Sequence, residues 1–352
     1  MNYHYQIIRF LQAGFQQLFH CRFLLFAMMF AFLLFSCGNK NQKKSPAAAE
    51  TKQTEKVSVP DFNADSAYYY VEKQLSFGPR VPGSEAHAQC AVWLESTLRR
   101  FSAKVYVQDF KARVYNNQVF SGQNIIAVFN PEQQRRILFG AHWDSRPYAD
   151  HDPDPANHNK PIDGANDGAS GTGVLIEIAR QLHEKNPSVR VDIILFDLED
   201  YGPPKDRQTN ESTDMWGLGS QYWARNPHVP NYKANFGILL DMVGAPDAKF
   251  PLEGFSMHFA PDIKQRVWEL AARIGYADYF IFEQGGYITD DHYFVNIIAG
   301  IPMIDIIHLD ATSSNGTFFE YWHTVKDNID QIDAATLKVV GDVVMHVIFL
   351  GI

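Results

Sequence analysis

Hydrophobic and polar positions follow an alternating pattern of strands and helices from about Pro60 to the end of the chain. Runs rich in apolar, β-branched and aromatic residues predict strands, here at Lys104–Phe110, Gln123–Phe129, Arg136–Ala141, Val191–Asp197, Phe236–Met242 and Pro302–Ile307. Apolar residues at helical spacing predict helices, here at Glu85–Arg100, Thr172–Glu184, Pro261–Ile274 and Ala334–Leu350. This alternation predicts a single three-layer α/β domain, with a central mixed, mostly parallel twisted sheet flanked by helices.

The N-terminal segment has a different pattern. Residues 23–35 form an unbroken apolar run after Arg22, which fits the core of a secretory signal better than a membrane span. The run ends in Ser36-Cys37-Gly38, which resembles a bacterial lipobox. We therefore expect a lipoprotein signal peptide at 1–37 with lipidation at Cys37, a flexible tether at 38–58 and the folded domain at 59–352. The expected location is the cell envelope, periplasmic and lipid-anchored to a membrane. A short membrane anchor or an uncleaved signal is the alternative.

The composition and charge of the chain exclude some classes of function and some kinds of metal site. The chain has 40 acidic and 31 basic residues and a net charge of −9, which disfavours a nucleic-acid binder because such a protein needs a cationic face. Hydrophobic residues make up 46% of the chain, enough for a large core. The three cysteines have no paired spacing, so a metal would have to be bound by His, Asp and Glu side chains.

Acidic and histidine residues follow the predicted strands, where ligands bind in open α/β sheets. The motifs are His142-Trp143-Asp144, the loop 164–171 with Asp167, Glu199-Asp200, Asp241, Asp290-Asp291-His292 and His323. Several carboxylates brought together without a cation would repel one another, so the pattern predicts a divalent metal, and this cysteine-free set suits zinc. The stretch 150–163 is rich in Asp and Pro and is interpreted as a rigid surface loop.

The order of these motifs resembles that of the zinc aminopeptidase superfamily over nearly all of 60–352. The resemblance implies a zinc-dependent catalytic domain with that superfamily's fold. It also implies Glu199 as general base and two zinc ions bound by His142, Asp167, Asp200, Asp241 and His323.

One branch of the superfamily, the glutaminyl-peptide cyclotransferases of animal type, resembles the chain in more detail, and bacterial relatives of these enzymes resemble it in having Asp at position 200. The final His is preceded by Trp322, and a second acid precedes the Asp-His motif. This branch uses one zinc ion, which implies Asp167, Asp200 and His323 as its ligands. The animal enzymes have Glu where this chain has Asp200. An apparent extra residue before Gly300 leaves open whether Asp290 or Asp291 is the inward acid.

The resemblance implies a specific reaction. An N-terminal glutamine of a peptide or protein would be converted to pyroglutamate with release of ammonia. Glu199, Asp241 and Asp290 would be catalytic, and Trp322, Ile288 and Phe319 would bind the substrate. Trp216 is a further candidate for the pocket.

Two alternatives remain open. All five ligand types of a dinuclear zinc aminopeptidase are present, which would hydrolyse N-terminal residues and carry two zinc ions. A lipid-anchored binding protein with a degenerate metal site is the non-enzymatic alternative, and the intact Glu199-Asp200 pair disfavours it.

Overall fold

The structure, a computed structural model, describes residues 58–102, 104–209 and 212–352. The predicted signal peptide, the lipidation site Cys37 and the tether up to residue 57 lie outside the described residues. Within the described part of the chain, no helix is long and apolar enough to cross a membrane.

A six-stranded mixed sheet forms the centre of the fold, as the sequence predicts. The strands of this sheet are β1 Lys104–Arg113, β2 Val119–Phe129, β3 Arg136–His142, β4 Arg190–Phe196, β5 Phe236–Asp241 and β8 Met303–Ile307, while β6 (Phe250–Leu252) and β7 (Phe280–Gln284) form a separate small sheet. The six strands lie in the order β1-β2-β4-β3-β5-β8, with β3, β4, β5 and β8 parallel to one another and β1 and β2 antiparallel to their neighbours. Strand β5 ends one residue earlier than predicted because Met242 has a left-handed backbone, with φ of 48°.

Eight α-helices are described within residues 58–102, 104–209 and 212–352. They are α1 Ala64–Leu75, α2 Glu85–Phe101, α3 Gly171–Glu184, α4 Leu218–Arg225, α5 Gly254–Phe259, α6 Pro261–Arg273, α7 Asp291–Phe294 and α8 Ala334–Leu350. Ser84 caps α2 as expected for a serine before a helix, because its side chain accepts a hydrogen bond from the backbone N–H of His87.

Both faces of the sheet are covered. On β3, Ile137 and Phe139 join the larger hydrophobic cluster, which includes residues of α1, α2, α3 and α8. Leu138 points to the other face and joins the cluster of Trp223 in α4. This alternation along one strand is expected for a sheet buried on both sides.

The sequence pattern missed some smaller elements. Helix α1 and the two-stranded sheet of β6 (Phe250–Leu252) and β7 (Phe280–Gln284) were not predicted. Helix α1 is polar over much of its surface and contains three consecutive tyrosines, so its hydrophobic period is weak. Strand β6 is only three residues long, which gives no usable period.

Candidate active site

Three predicted metal ligands meet at the carboxyl edge of the parallel strands. Asp167, Asp200 and His323 are buried and each offers one ligand atom within 4.8 Å of the other two. His323 Nε2 lies 3.2 Å from Asp200 Oδ1 and 3.5 Å from Asp167 Oδ2. We refer to these three residues as the His323 cluster.

A second cluster shares Asp167. His142 ends β3 and Asp241 ends β5, and together with Asp167 they form what we call the His142 cluster. His142 Nε2 lies 3.0 Å from Asp167 Oδ1 and 3.3 Å from Asp241 Oδ1. The five ligand types of a two-metal site therefore lie together, with Asp167 between the two histidines.

The loop before α3 holds Asp167 in place through its backbone. Asp327 accepts hydrogen bonds from the backbone N–H of Asn166 (2.8 Å) and of Asp167 (3.1 Å). Gly168 has a φ of 101°, and a Cβ there would meet the backbone oxygen of Asp144 at 2.6 Å. The loop therefore depends on a glycine at this position and on a buried acid that the sequence analysis did not single out.

Asp144 holds the acid pair that follows β4. Its two carboxylate oxygens accept hydrogen bonds from the backbone N–H of Glu199 (3.1 Å) and of Asp200 (3.2 Å). Leu198 has a φ of 56°, a conformation that bulky residues rarely adopt. This turn presents Glu199 and Asp200 to the same cavity.

The site contains several buried acids, and burial raises the pKa values of two of them, Glu199 and Asp241. Burial raises the pKa of Glu199 well above its usual range, and the charges of Asp200 and Asp290 raise it further, while His142 opposes the shift. Burial also raises the pKa of Asp241 to about 8, with Asp290 and Asp167 adding to it against the effect of His142. A carboxyl group with such a pKa can hold and release a proton near neutral pH.

Of the two candidate inward acids, the structure brings Asp290 to the cavity. Asp290 lines it, and its side chain also caps α7 by accepting from the backbone N–H of Asp291. Asp291 is fully buried and does not line the cavity, and neither of its carboxylate oxygens has a hydrogen-bond partner among the described residues. The sequence left the choice open because the two acids stand at the start of a four-residue helix, which is too short to show a hydrophobic period.

A cavity of about 310 Å³ opens beside the His323 cluster. It is lined by Asp167, Glu199, Asp200, Gln208, Trp216, Asp241, Met242, Tyr287, Ile288, Thr289, Asp290, Ile307, Thr317, Phe318, Trp322 and His323. Trp322 stacks on His323 with ring centroids 3.6 Å apart, and Trp216 lies parallel to His323 at 6.3 Å. The cavity is therefore small, aromatic on one side and acidic on the other.

The predicted substrate-binding residues differ in their placement. Trp322 and Ile288 line the cavity, but Phe319 does not. Phe319 is buried behind it, near the ring of His308, and its neighbour Phe318 lines the cavity instead and packs against Trp322 at 4.4 Å. The difference is one residue in a segment without helix or strand, where no periodicity indicates which side chain points inward.

The residues fit a zinc site. Asp200 Oδ2 is buried and has no hydrogen-bond partner within the described residues. Buried carboxylate oxygens without partners are costly unless a cation binds them. Histidine nitrogens and carboxylate oxygens are also the ligands that zinc accepts in cysteine-free sites.

This α/β fold with its strand-end His and Asp ligands defines the zinc exopeptidase class. The profile of peptidase family M28 matches residues 124–348, more than half of the chain. The protein therefore belongs to peptidase family M28, a zinc-dependent family.

Solved structures of similar proteins cover almost the whole described domain. A structure of Tannerella forsythia glutaminyl cyclase is 53% identical with a TM-score of 0.80, and the match covers 82% of this chain and 99% of that one. Two Bacteroides thetaiotaomicron structures are each 49% identical with a TM-score of 0.80 and cover 83% of this chain and 99% of theirs. One is described as a glutaminyl cyclase bound to N-acetylhistamine, the other as a leucine aminopeptidase precursor.

A curated relative is more distant. The glutaminyl-peptide cyclotransferase of Bos taurus is 25% identical over 301 residues, which is 73% of this chain and 74% of the bovine protein. The resemblance predicted from the sequence motifs is thus confirmed at the level of the family and its cyclase members.

Proposed function

We propose that the protein is an enzyme that converts the N-terminal glutamine of peptides and proteins to pyroglutamate and releases ammonia. The similarity to glutaminyl cyclases from T. forsythia and B. thetaiotaomicron supports this activity. One observation of the structure carries the proposal. A cavity of only about 310 Å³ combines the His323 cluster, the acid Glu199 and the aromatic wall of Trp322. Its size suits one glutaminyl residue, and the rest of the peptide can extend outward.

The reaction is an attack within one residue. The α-amine of glutamine attacks its own γ-carboxamide carbon, and the C–N bond to the amide nitrogen breaks to release ammonia. Because nucleophile and electrophile are already tethered, the enzyme mainly supplies orientation and charge stabilisation. Asp167, Asp200 and His323 would hold a zinc ion, which would supply Lewis-acid stabilisation of the γ-carbonyl oxygen.

The remaining chemistry is proton transfer by the chain's own residues. Glu199 accepts the proton from the α-amine and donates it to the leaving amide nitrogen, a role that suits the raised pKa of this carboxyl group. Asp290 and Asp241 orient the amide nitrogen from the acidic side of the cavity. Trp322 and Ile288 enclose the methylene groups of the glutaminyl side chain.

One zinc ion per chain is the stoichiometry that we propose. The support comes from the resemblance to the cyclase branch, which implies a single ion held by Asp167, Asp200 and His323. Activity should then reach its maximum at one equivalent of zinc added to metal-free protein. A maximum at two equivalents would contradict this stoichiometry.

A direct experiment identifies the bond that changes. The purified protein is incubated with a peptide that begins Gln-Phe, and mass spectrometry follows the products beside an enzyme-free control. Loss of ammonia from an otherwise intact peptide, faster than in the control, is the expected result. Release of free glutamine would overturn the proposal.

A second activity, zinc-dependent aminopeptidase, is favoured by one observation. The His142 cluster is complete, since His142, Asp167 and Asp241 each offer a ligand atom within 4.8 Å of the other two. With two zinc ions the same site would activate water and hydrolyse the first peptide bond. A peptide that begins Leu-Phe separates the two activities, because leucine has no γ-carboxamide and only hydrolysis can change it.

We also propose that the protein is exported and anchored by a lipid at Cys37. The apolar run 23–35, the Ser36-Cys37-Gly38 motif and the polar stretch that follows support this. Cys37→Ser should move the protein from the membrane fraction to the soluble fraction, or stop its processing. Unchanged fractionation and processing of the variant would contradict the lipid anchor.

A further inference from the structure

Arg146 is a buried cation beside the metal site, and the proposed mechanism gives it no role. It follows β3 by four residues, and its side chain is fully buried. A guanidinium group in the interior is destabilising unless its N–H groups are paired with acceptors. The identity of those acceptors therefore indicates what Arg146 does.

One side of the guanidinium group is bound by Asp150. Arg146 Nε donates to Asp150 Oδ1 at 2.8 Å and Nη2 donates to Asp150 Oδ2 at 2.7 Å. This bidentate salt bridge fixes the plane of the Asp150 carboxylate as well as its position. The backbone N–H of Lys205 donates to the same Asp150 Oδ2 at 2.7 Å, so Asp150 has little freedom to rotate.

Asp150 in turn faces the imidazole of His323. Asp150 Oδ1 lies 3.5 Å from His323 Nδ1, a nitrogen with no hydrogen-bond partner among the described residues. His323 Nε2, on the other side of the ring, faces Asp200 and Asp167. A carboxylate behind the second nitrogen of a metal-binding histidine orients the ring and raises its basicity.

The other side of the guanidinium group contacts a second ligand directly. Arg146 Nη1 donates to the backbone oxygen of Asp200 at 3.1 Å and lies 3.3 Å from its Oδ1. Both the backbone and the carboxylate of Asp200 are therefore held from one point. Asp has one methylene group fewer than Glu, so the position of its backbone decides where its carboxylate can reach.

Arg146 also supports the aromatic side of the cavity. Its Cζ atom lies 4.9 Å from the centre of the Trp216 ring, within the range of a cation–π interaction. Arg146 Nη2 donates to the backbone oxygen of Pro203 at 3.2 Å, which ties down the segment that follows the acid pair.

We propose that Arg146 is a positioning residue, which orients the ligands Asp200 and His323 and the cavity wall Trp216 through a single guanidinium group. The inference rests on the zinc site of the proposed function. This role requires arginine specifically. Lysine has the same charge but lacks the planar guanidinium group, which can donate hydrogen bonds to Asp150 and Asp200 at the same time.

The test compares Arg146→Lys with a matched control, Arg80→Lys. Arg80 is also fully buried near the site, but its described hydrogen bonds go to the backbone oxygens of Trp143, Asp163 and Gly164 and to no ligand. Zinc affinity is measured on each variant by competition with a chromogenic chelator, alongside thermal unfolding, kcat and KM.

Arg146→Lys should weaken zinc binding by about 10- to 100-fold, the usual effect of losing a group that orients a metal ligand, and should lower kcat. Arg80→Lys should lower the unfolding temperature and change zinc affinity by less than about threefold. Equal zinc affinities of folded Arg146→Lys and wild type would overturn the proposal, as would an equal loss of affinity in Arg80→Lys.

If Arg146→Lys fails to fold, Asp150→Asn provides the second measurement. It keeps the shape of the side chain but removes the charge that faces His323, and zinc binding should again weaken. Unchanged affinity in Asp150→Asn would overturn the proposal. Zinc affinity does not depend on the reaction, so wild-type protein that binds zinc but leaves Gln-Phe peptides unchanged would contradict only the proposed function.

Discussion

The His323 cluster and the His142 cluster share Asp167 and have similar ligand types, yet they have different surroundings. The His323 cluster is backed by Asp150 and the cation Arg146. His142 Nδ1 resembles His323 Nδ1 in having no hydrogen-bond partner within the described residues and in lying 3.5 Å from an aspartate oxygen, here Asp144 Oδ1, so the difference lies in what holds that aspartate. Asp144 is already engaged by two backbone N–H groups.

The two clusters have similar ligand types but different charges around them, and we expect those charges to decide how many zinc ions the site holds. Arg146 orients one set of ligands and balances part of its negative charge. The other set contains Asp241, which is crowded by a further acid, Asp290. We therefore expect the His323 cluster to bind zinc more tightly than the His142 cluster.

The largest expected effect separates the two clusters by removing one histidine from each. His323→Ala should lose zinc and reduce kcat/KM on the order of a thousandfold, because a metal Lewis acid contributes several kcal/mol to the transition state. His142→Ala should keep one zinc ion and lose less activity. Metal content by mass spectrometry and rates on a Gln-Phe peptide measure both. Equal loss of zinc in the two variants would mean that the clusters act as one two-metal site.

Glu199→Gln tests whether this cavity-lining acid transfers protons or helps to bind the metal. Removing a general acid–base group typically lowers the rate by about 10²- to 10⁴-fold, and zinc content should not change. The exposed Glu283→Gln provides the control for losing one glutamate charge. Near-normal turnover by Glu199→Gln would mean that another group transfers the proton.

Much of the sheet and of the ligand set could be predicted from the sequence. Strands β3, β4 and β5 are buried on both faces and therefore appear as apolar runs, and the residues that follow such strands meet at one edge. The six strands of the main sheet and four of the helices were predicted in this way.

The groups that hold the ligands could not be predicted. Asp150 was interpreted as part of a surface loop, yet it is buried against Arg146 and His323. Asp327, which holds the Asp167 loop, likewise has no local signal of its burial. Charged residues are usually exposed, so only the tertiary structure reveals which of them are paired inside.

Asp290 and Asp291 are adjacent acids, and only Asp290 lines the cavity, so substituting each in turn tests which of them acts in the reaction. Asp290→Asn should lower kcat by about 10- to 100-fold, the range for losing a hydrogen bond to a charged group. Asp291→Asn should change kcat by less than about threefold and act mainly on the unfolding temperature. Steady-state kinetics and thermal unfolding of both variants test this difference. A larger loss of kcat in folded Asp291→Asn than in Asp290→Asn would mean that Asp291 is the acid that faces the substrate.

Gly202→Ala gives the smallest expected effect and tests the aromatic wall beside the His323 cluster. A Cβ at Gly202 would lie 2.3 Å from the Trp216 ring, so the ring must shift. Because Trp216 lines the cavity but is no ligand, KM should rise about three- to tenfold, equivalent to about 1 kcal/mol, while zinc affinity stays unchanged. Gly286→Ala is the control, since its nearest described neighbour would be Ile288 Cδ1 at 3.8 Å. Weaker zinc binding by Gly202→Ala would contradict this expectation. It would mean that the position of Trp216 also affects the metal ligands, through its ring contact with Arg146.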